Sequence, residues 1–236
     1  MPLNFIIIVL AQFFFFLFFY VRNRTTKVSL VKMVLLSLVA GLIGGLLFDV
    51  TFGMLGAYVY KVEGNKDIFY STGLSLYQLI WNDILSFGLA VLTSYYITSK
   101  KELYKKKAIK NDVIGVLSFL VLLSIALSFL VQVGVVALFI YGVGVIAFGE
   151  CLLVLRGQNG PFLSLLMTRN YSSFIVFWAN TVLIGFLYEV VNYLFPFWVW
   201  LPRSDYSHLS IEILIVLFGY MVVLHPMVVF WKIVGK

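Results

Sequence analysis

Apolar residues run along this chain in long blocks, with almost no polar face at helical or alternating spacing. Seven blocks stand out: Leu3–Val21, Met33–Phe52, Thr72–Ile97, Val113–Val131, Val135–Leu155, Ser172–Trp200 and Ile211–Trp231. Each reaches about the 20 residues that an α-helix needs to cross the hydrocarbon core of a bilayer. The pattern predicts an all-α, polytopic membrane protein with seven transmembrane helices. The sixth block is long enough to tilt or to end in the interface. Only Gln132, Val133 and Gly134 separate the fourth and fifth, which predicts a tight hairpin there. The stretch Pro161–Arg169 is apolar but too short to cross, so it reads as interfacial.

Composition narrows the class. Of 236 residues, 62% are hydrophobic and 11% charged, with mean hydropathy +1.04. A soluble chain is nearer 45–50% apolar and about 25% charged, so lipid is the solvent for much of this surface, and seven spans leave no room for a soluble domain. Cys151 is the single cysteine, which excludes an intramolecular disulfide and a thiolate metal cluster. The first block lacks a basic n-region and a small-residue cleavage site, so it reads as a span and not as a signal peptide. The net charge of +7 is not spread evenly. With seven spans, one side receives Arg22, Arg24, Lys27, Lys32, the lysines of Lys100–Lys110, Arg156, Arg169, Lys232 and Lys236. The other receives only Lys61, Lys66 and Arg203. The positive-inside rule then predicts a cell-membrane protein with its N-terminus outside and its C-terminus cytoplasmic. The Lys100–Lys110 run is a topology signal that meets anionic lipid, not a nucleic-acid site.

The chain also echoes itself. Leu42–Tyr60 (LIGGLLFDVTFGMLGAYVY) aligns without a gap on Val182–Trp200 (VLIGFLYEVVNYLFPFWVW). Gly45 meets Gly185, Phe48-Asp49 meets Tyr188-Glu189, and Tyr58-Val59-Tyr60 meets Trp198-Val199-Trp200. Leu74–Leu79 (LSLYQL) and Leu209–Leu214 (LSIEIL) follow as a second echo. Three spans, one linking span and three spans make a parallel repeat. The organisation expected is residues 1–111 for the first three-helix unit with the basic loop, 112–134 for the linking span, and 135–236 for the second unit.

Acids inside spans carry the candidate chemistry. Asp49, Asp83, Glu150 and Glu189 fall within blocks, and Glu212 lies at the outer entry of the seventh. A charge near the bilayer centre costs about 2.5–3.5 kcal/mol on insertion scales, so such residues face the bundle interior. No Lys or Arg lies deep in a span to pair with them, and an acid held neutral is a proton donor. Asp49, Glu189, Glu212 and Asp83 are therefore the candidate catalytic groups. Asn192, Tyr188, Asn82, Tyr58 and Trp198 are candidate substrate-binding residues, with the amides and phenols steadying the acids. Glu150 reads instead as structural or snorkelling, and His208 and His225 as structural. The aromatics Tyr58, Tyr60, Trp198 and Trp200 read as an interfacial belt by default, or as π faces for a carbocation. Glycine-rich phosphate loops, HExxH and GxSxG are absent. No mid-span lysine is present to bind retinal, and no metal or cofactor is expected.

Phe48-Asp49 through Leu55-Gly56-Ala57-Tyr58 resembles the aromatic–Asp, five residues, Leu-Gly-Val-Trp signature of the integral-membrane lycopene cyclase domain. That family pairs two three-helix domains, sometimes with an extra span between them. Its Leu-Pro-x-Glu-Glu motif corresponds here to Leu74–Gln78 and Leu209–Ile213, where serine replaces both prolines and only Glu212 keeps an acid. The resemblance implies an intramolecular lyase or isomerase: an acid protonates a terminal double bond of a lipid-soluble isoprenoid or polyene, and a base removes a proton after ring closure. Membrane lipid would be the other partner. A small proton-coupled transporter and a non-catalytic membrane scaffold are the alternative readings.

Overall fold

The computed structural model describes residues 3–22, 28–61, 72–99, 111–131, 134–169, 171–201 and 212–234. The Lys100–Lys110 run, His208, the turn at Gln132–Val133 and the opening of the LSIEIL echo lie outside the described residues.

Helix α1 spans Leu3–Arg22 and α2 spans Leu30–Met54. Ser29 starts α2 by accepting the Lys32 amide on its hydroxyl at 3.2 Å. Strand β1 is Tyr58–Tyr60. Helix α3 opens with a capping box, in which Ser75 and Gln78 satisfy each other's backbone amides. It runs over Leu76–Asn82, widens into a π turn at Asp83–Phe87 and continues over Gly88–Ser99. Helices α4 (Asn111–Leu130), α5 (Gly134–Leu155), α6 (Pro161–Thr168) and α7 (Tyr171–Leu194) follow. Strand β2 is Trp198–Trp200, and α8 spans Glu212–Val234 with a second π turn at Ile215–Gly219. Among the described residues, seven helices are long and apolar enough to cross a membrane, α6 being the short one left out.

Helix α8 is central. It touches α2, α3, α5 and α7, and almost every residue from Met221 to Val229 is buried. Helix α4 is peripheral: it packs chiefly on α5 and leaves Leu122 and Leu130 at least 70% exposed. Apolar side chains turned outward in this way are what lipid-facing helices present. Helices α2 and α3 approach closely because Gly41 stands against the backbone of Gly88, leaving no space for a side chain.

Three expectations change. The sixth block does not stay helical to Trp200. It stops at Leu194, two residues before Pro196, which has no amide to donate and disfavours helical backbone in the residue before it. The fold is not wholly α: β1 and β2 pair antiparallel, Tyr58 opposite Trp200 and Tyr60 opposite Trp198. The aromatics read as an interfacial belt thus form a ribbon, with Tyr58, Trp198 and Trp200 buried. The segment read as interfacial is α6, and its first residue Pro161 and following Leu163 are buried while Leu166 and Met167 are exposed. It enters the protein N-terminus first.

Candidate functional site

Asp49 lies five residues from the end of α2 and is completely buried. Its Oδ1 accepts the Tyr58 hydroxyl, and the Tyr60 hydroxyl reaches its two oxygens at 3.2 and 3.1 Å. Asn82 of α3 donates its amide to the Tyr60 oxygen at 2.9 Å and to Asp49 Oδ2 at 3.5 Å. The turn from α2 into β1 makes this possible. Gly56 adopts φ +66°, which L side chains rarely adopt, so the chain reverses and lays β1 over the end of its own helix.

Asp83 stands beside Asp49, and the Asn82 amide bridges the two carboxyls. It can come so near because Gly45, one helical turn before Asp49, has no side chain: a Cβ there would stand 2.8 Å from the Asp83 Cβ. Asp49 is already offered Tyr58, Tyr60 and Asn82, whereas Asp83 is offered only the Asn82 amide at 3.4 Å, and its Oδ2 receives no donor. Asp49 is thus the better provided with donors of the two carboxyls. Burial, then the charges of Asp49 and Asp83, pushes the Tyr60 phenol well above the ordinary tyrosine range, so it stays a donor.

Glu189 of α7 is held by a parallel device. Its Oε1 accepts the Trp200 indole and the Tyr220 hydroxyl, each at 3.1 Å. Gly185, one turn before it, makes room for the Tyr220 ring, as Gly45 does for Asp83. Glu212 opens α8, half-buried, near enough for its charge to act on Glu189. The ribbon brings the two devices together: the Tyr58 and Trp200 rings meet edge-on at 5.3 Å.

Between them is a cavity of about 50 Å³, lined by Tyr60, Asn82, Phe87, Tyr188, Trp198 and Tyr220 among others. That is room for a few water molecules or the tip of an apolar chain. The carboxyls themselves stand one hydrogen bond behind this wall, with their phenol, indole and amide donors facing the space. Tyr188 fixes the α3 side by donating its hydroxyl to the Ser86 carbonyl at 2.6 Å, inside the π turn. π turns release a carbonyl from the helix ladder and recur at functional sites.

Of the residues singled out in the sequence, Asp49, Asp83, Asn82 and Tyr58 form one contact set, and Glu189 with Trp198 and Tyr188 stands across the cavity. Asn192 does not face it. Its amide is used on the turn before β2, accepting Phe197 and Trp198 amides at 2.8 and 3.0 Å and donating to the Trp198 carbonyl at 3.2 Å. Sequence reasoning left out Tyr220 and Ser86 and treated Tyr60 and Trp200 as belt residues. The alignment of Tyr60 on Trp200 beside matched acids was the available signal for two of these.

Glu150 is neither solvent-exposed nor snorkelling. It is buried at the N-terminus of α6, accepting the amides of Gly160 at 2.9 Å, Phe162 at 3.0 Å and Leu163 at 3.4 Å, and facing His225 Nε2 at 3.1 Å. Gly160 leaves the space that the carboxylate fills, and Gly149 the space for the His225 ring. His225 thus has a partner that lies 75 residues away in sequence.

The fold and sites define a helical, multi-pass membrane-type protein whose acids are buried and held by named donors. Comparison with known protein families, with curated proteins and with solved structures finds no match. The likeness to the lycopene cyclase domain rests on Phe48–Tyr58 and on the stretches Leu74–Gln78 and Leu209–Ile213 alone.

Proposed function

We propose that this is a lycopene cyclase-like integral membrane protein that isomerises a lipid-soluble isoprenoid by proton transfer from buried carboxylic acids. The observation that carries the reading is the pair Asp49–Asp83, bridged by Asn82, on the far side of an aromatic cavity from Glu189. In this reading the chain is a parallel three-plus-one-plus-three repeat with its N-terminus outside and its C-terminus cytoplasmic. The matched glycines, matched acids and pairing of the two echoing segments as β1 and β2 support the repeat, and the uneven distribution of Lys and Arg is the argument for the orientation.

The acid pair delivers its proton through the Tyr60 or Tyr58 hydroxyl to a terminal double bond. The resulting carbocation lies against the faces of Phe87, Tyr188 and Trp198, which stabilise positive charge. An internal double bond attacks it and closes a ring. Glu189, reached through Tyr220, takes a proton from the adjacent carbon, which restores a double bond. One proton enters and one leaves, so no oxidant or reductant is needed. The two acids sit in different donor sets, which separates their roles as acid and base.

Expression in a lycopene-accumulating bacterium, followed by pigment chromatography, tests this. A ring-bearing product is expected, with loss of about 10²–10⁴ in rate for Asp49→Asn or Glu189→Gln. Correctly inserted protein that yields no cyclised product would overturn the lycopene version. One observation favours a second reading, a small proton-coupled carrier. A short helix that turns its N-terminus onto a buried carboxylate beside a histidine resembles the half-helices of transporters. Substrate-driven proton uptake in proteoliposomes would separate the two.

A further inference from the structure

A second space among the described residues is larger than the one at the acids. An apolar cavity of about 450 Å³ lies between α2, α4, α5 and α8. Its walls carry no charged side chain, and Tyr141 is the one residue with a hydroxyl. Gly44 on α2 and Gly144 on α5 line it, and Met227 lies over Gly44 in the position a side chain there would need. Its rim is open: Leu47 is 65% and Ile125 38% exposed. Its inner end is closed by Phe48 and Val223, and these same two residues line the small cavity beside the acids. Phe48 is the immediate neighbour of Asp49 in the chain and stacks on Tyr58, a donor to Asp49.

We infer that the α2–α4–α5–α8 cavity is the binding groove for the body of one uncharged hydrocarbon chain, a polyene, which enters from the lipid side past Leu47 and Ile125 and presents its end at the Phe48–Val223 wall. This rests on the isoprenoid reading above and adds where the chain lies. The absence of any charged lining residue disfavours a prenyl diphosphate or a phospholipid headgroup at this place. The disparity in size assigns the parts: the groove takes the chain, and the space behind Phe48 takes only its tip. Peripheral α4, which packs chiefly on α5, is the wall that can yield as the chain enters.

Purified protein in lipid nanodiscs, titrated with lycopene and followed by induced circular dichroism of the polyene, is the test. Wild-type protein is expected to bind. Ile125→Trp and Leu47→Trp fill the rim from exposed positions and are expected to weaken binding about tenfold or more, equivalent to ~1.4 kcal/mol. Met227→Ala widens the groove and keeps binding, which controls for damage to the fold. Asp49→Asn binds as wild type, because it changes the chemistry and not the groove. Rim variants that bind like wild type, or wild-type protein that binds no polyene, would overturn the proposal. Binding that follows the groove variants while no ring-bearing product forms in cells leaves the groove standing and removes the cyclase reading.

Discussion

Two buried carboxylate centres in this protein are solved by opposite means. Glu150 is surrounded by backbone: three amides at the start of α6 and one histidine point at it, and every donor is fixed by the main chain or by close packing against Gly149 and Gly160. Asp49 is surrounded by side chains: two phenols, an amide and a second carboxyl that the same amide reaches. A carboxylate at a helix N-terminus completes hydrogen bonds that the helix cannot make alone, so it stabilises the fold. A carboxyl pair with phenol donors, bordering a cavity, can move a proton and keep its geometry. The contrast separates an acid that holds structure from acids that are available for chemistry, although all are buried to a similar degree.

Substitutions sharpen or break that contrast. Glu150→Leu leaves three amides and His225 without their acceptor and is expected to cost about 3–5 kcal/mol, the range for breaking a buried ionic contact. A large fall in the thermal midpoint in detergent reports it. A midpoint unchanged from wild type would remove Glu150 from its structural role. Asn192→Ala strips the acceptor from the Phe197 and Trp198 amides and is expected to cost about 1–3 kcal/mol. Denaturation monitored by tryptophan emission should show this, together with altered emission from Trp198. Tyr58→Phe removes one donor of several from Asp49, with an expected cost of about 0.5–1.5 kcal/mol. Asp49→Asn keeps an acceptor for the phenols and is expected to change stability by less than about 1 kcal/mol while lowering the proposed activity by about 10²–10⁴. If Asp49→Asn unfolded the protein as severely as Glu150→Leu, the division between the two centres would fail.

The helical spans were readable because hydropathy over some 20 residues is a summed signal that tolerates local exceptions. The buried acids were readable because carboxylates in apolar blocks are rare. Their partners were not. Asp49 meets Asp83 across two helices through a missing side chain at Gly45, and Glu150 meets His225 across 75 residues. Neither contact leaves a spacing pattern. The ribbon escaped for another reason: strands of three residues are too short to show alternation, and Tyr58-Val59-Tyr60 and Trp198-Val199-Trp200 share their aromatic composition with interfacial belts. The end of α7 was marked by Pro196, a local breaker that the long apolar run around it obscured.

The β1–β2 ribbon also sets a schedule for biosynthesis. Strand β1 is made about 140 residues before its partner. At about 5–20 residues per second, the nascent chain waits on the order of ten seconds before β2 emerges. During that wait Asp49 already has the tyrosines of β1, which come from its own segment, whereas the Trp200 that caps Glu189 has yet to be made. The clasp closes only after the seventh block's predecessor has been inserted, so the aromatic cavity is assembled late, by two passages of chain that left the ribosome far apart in time.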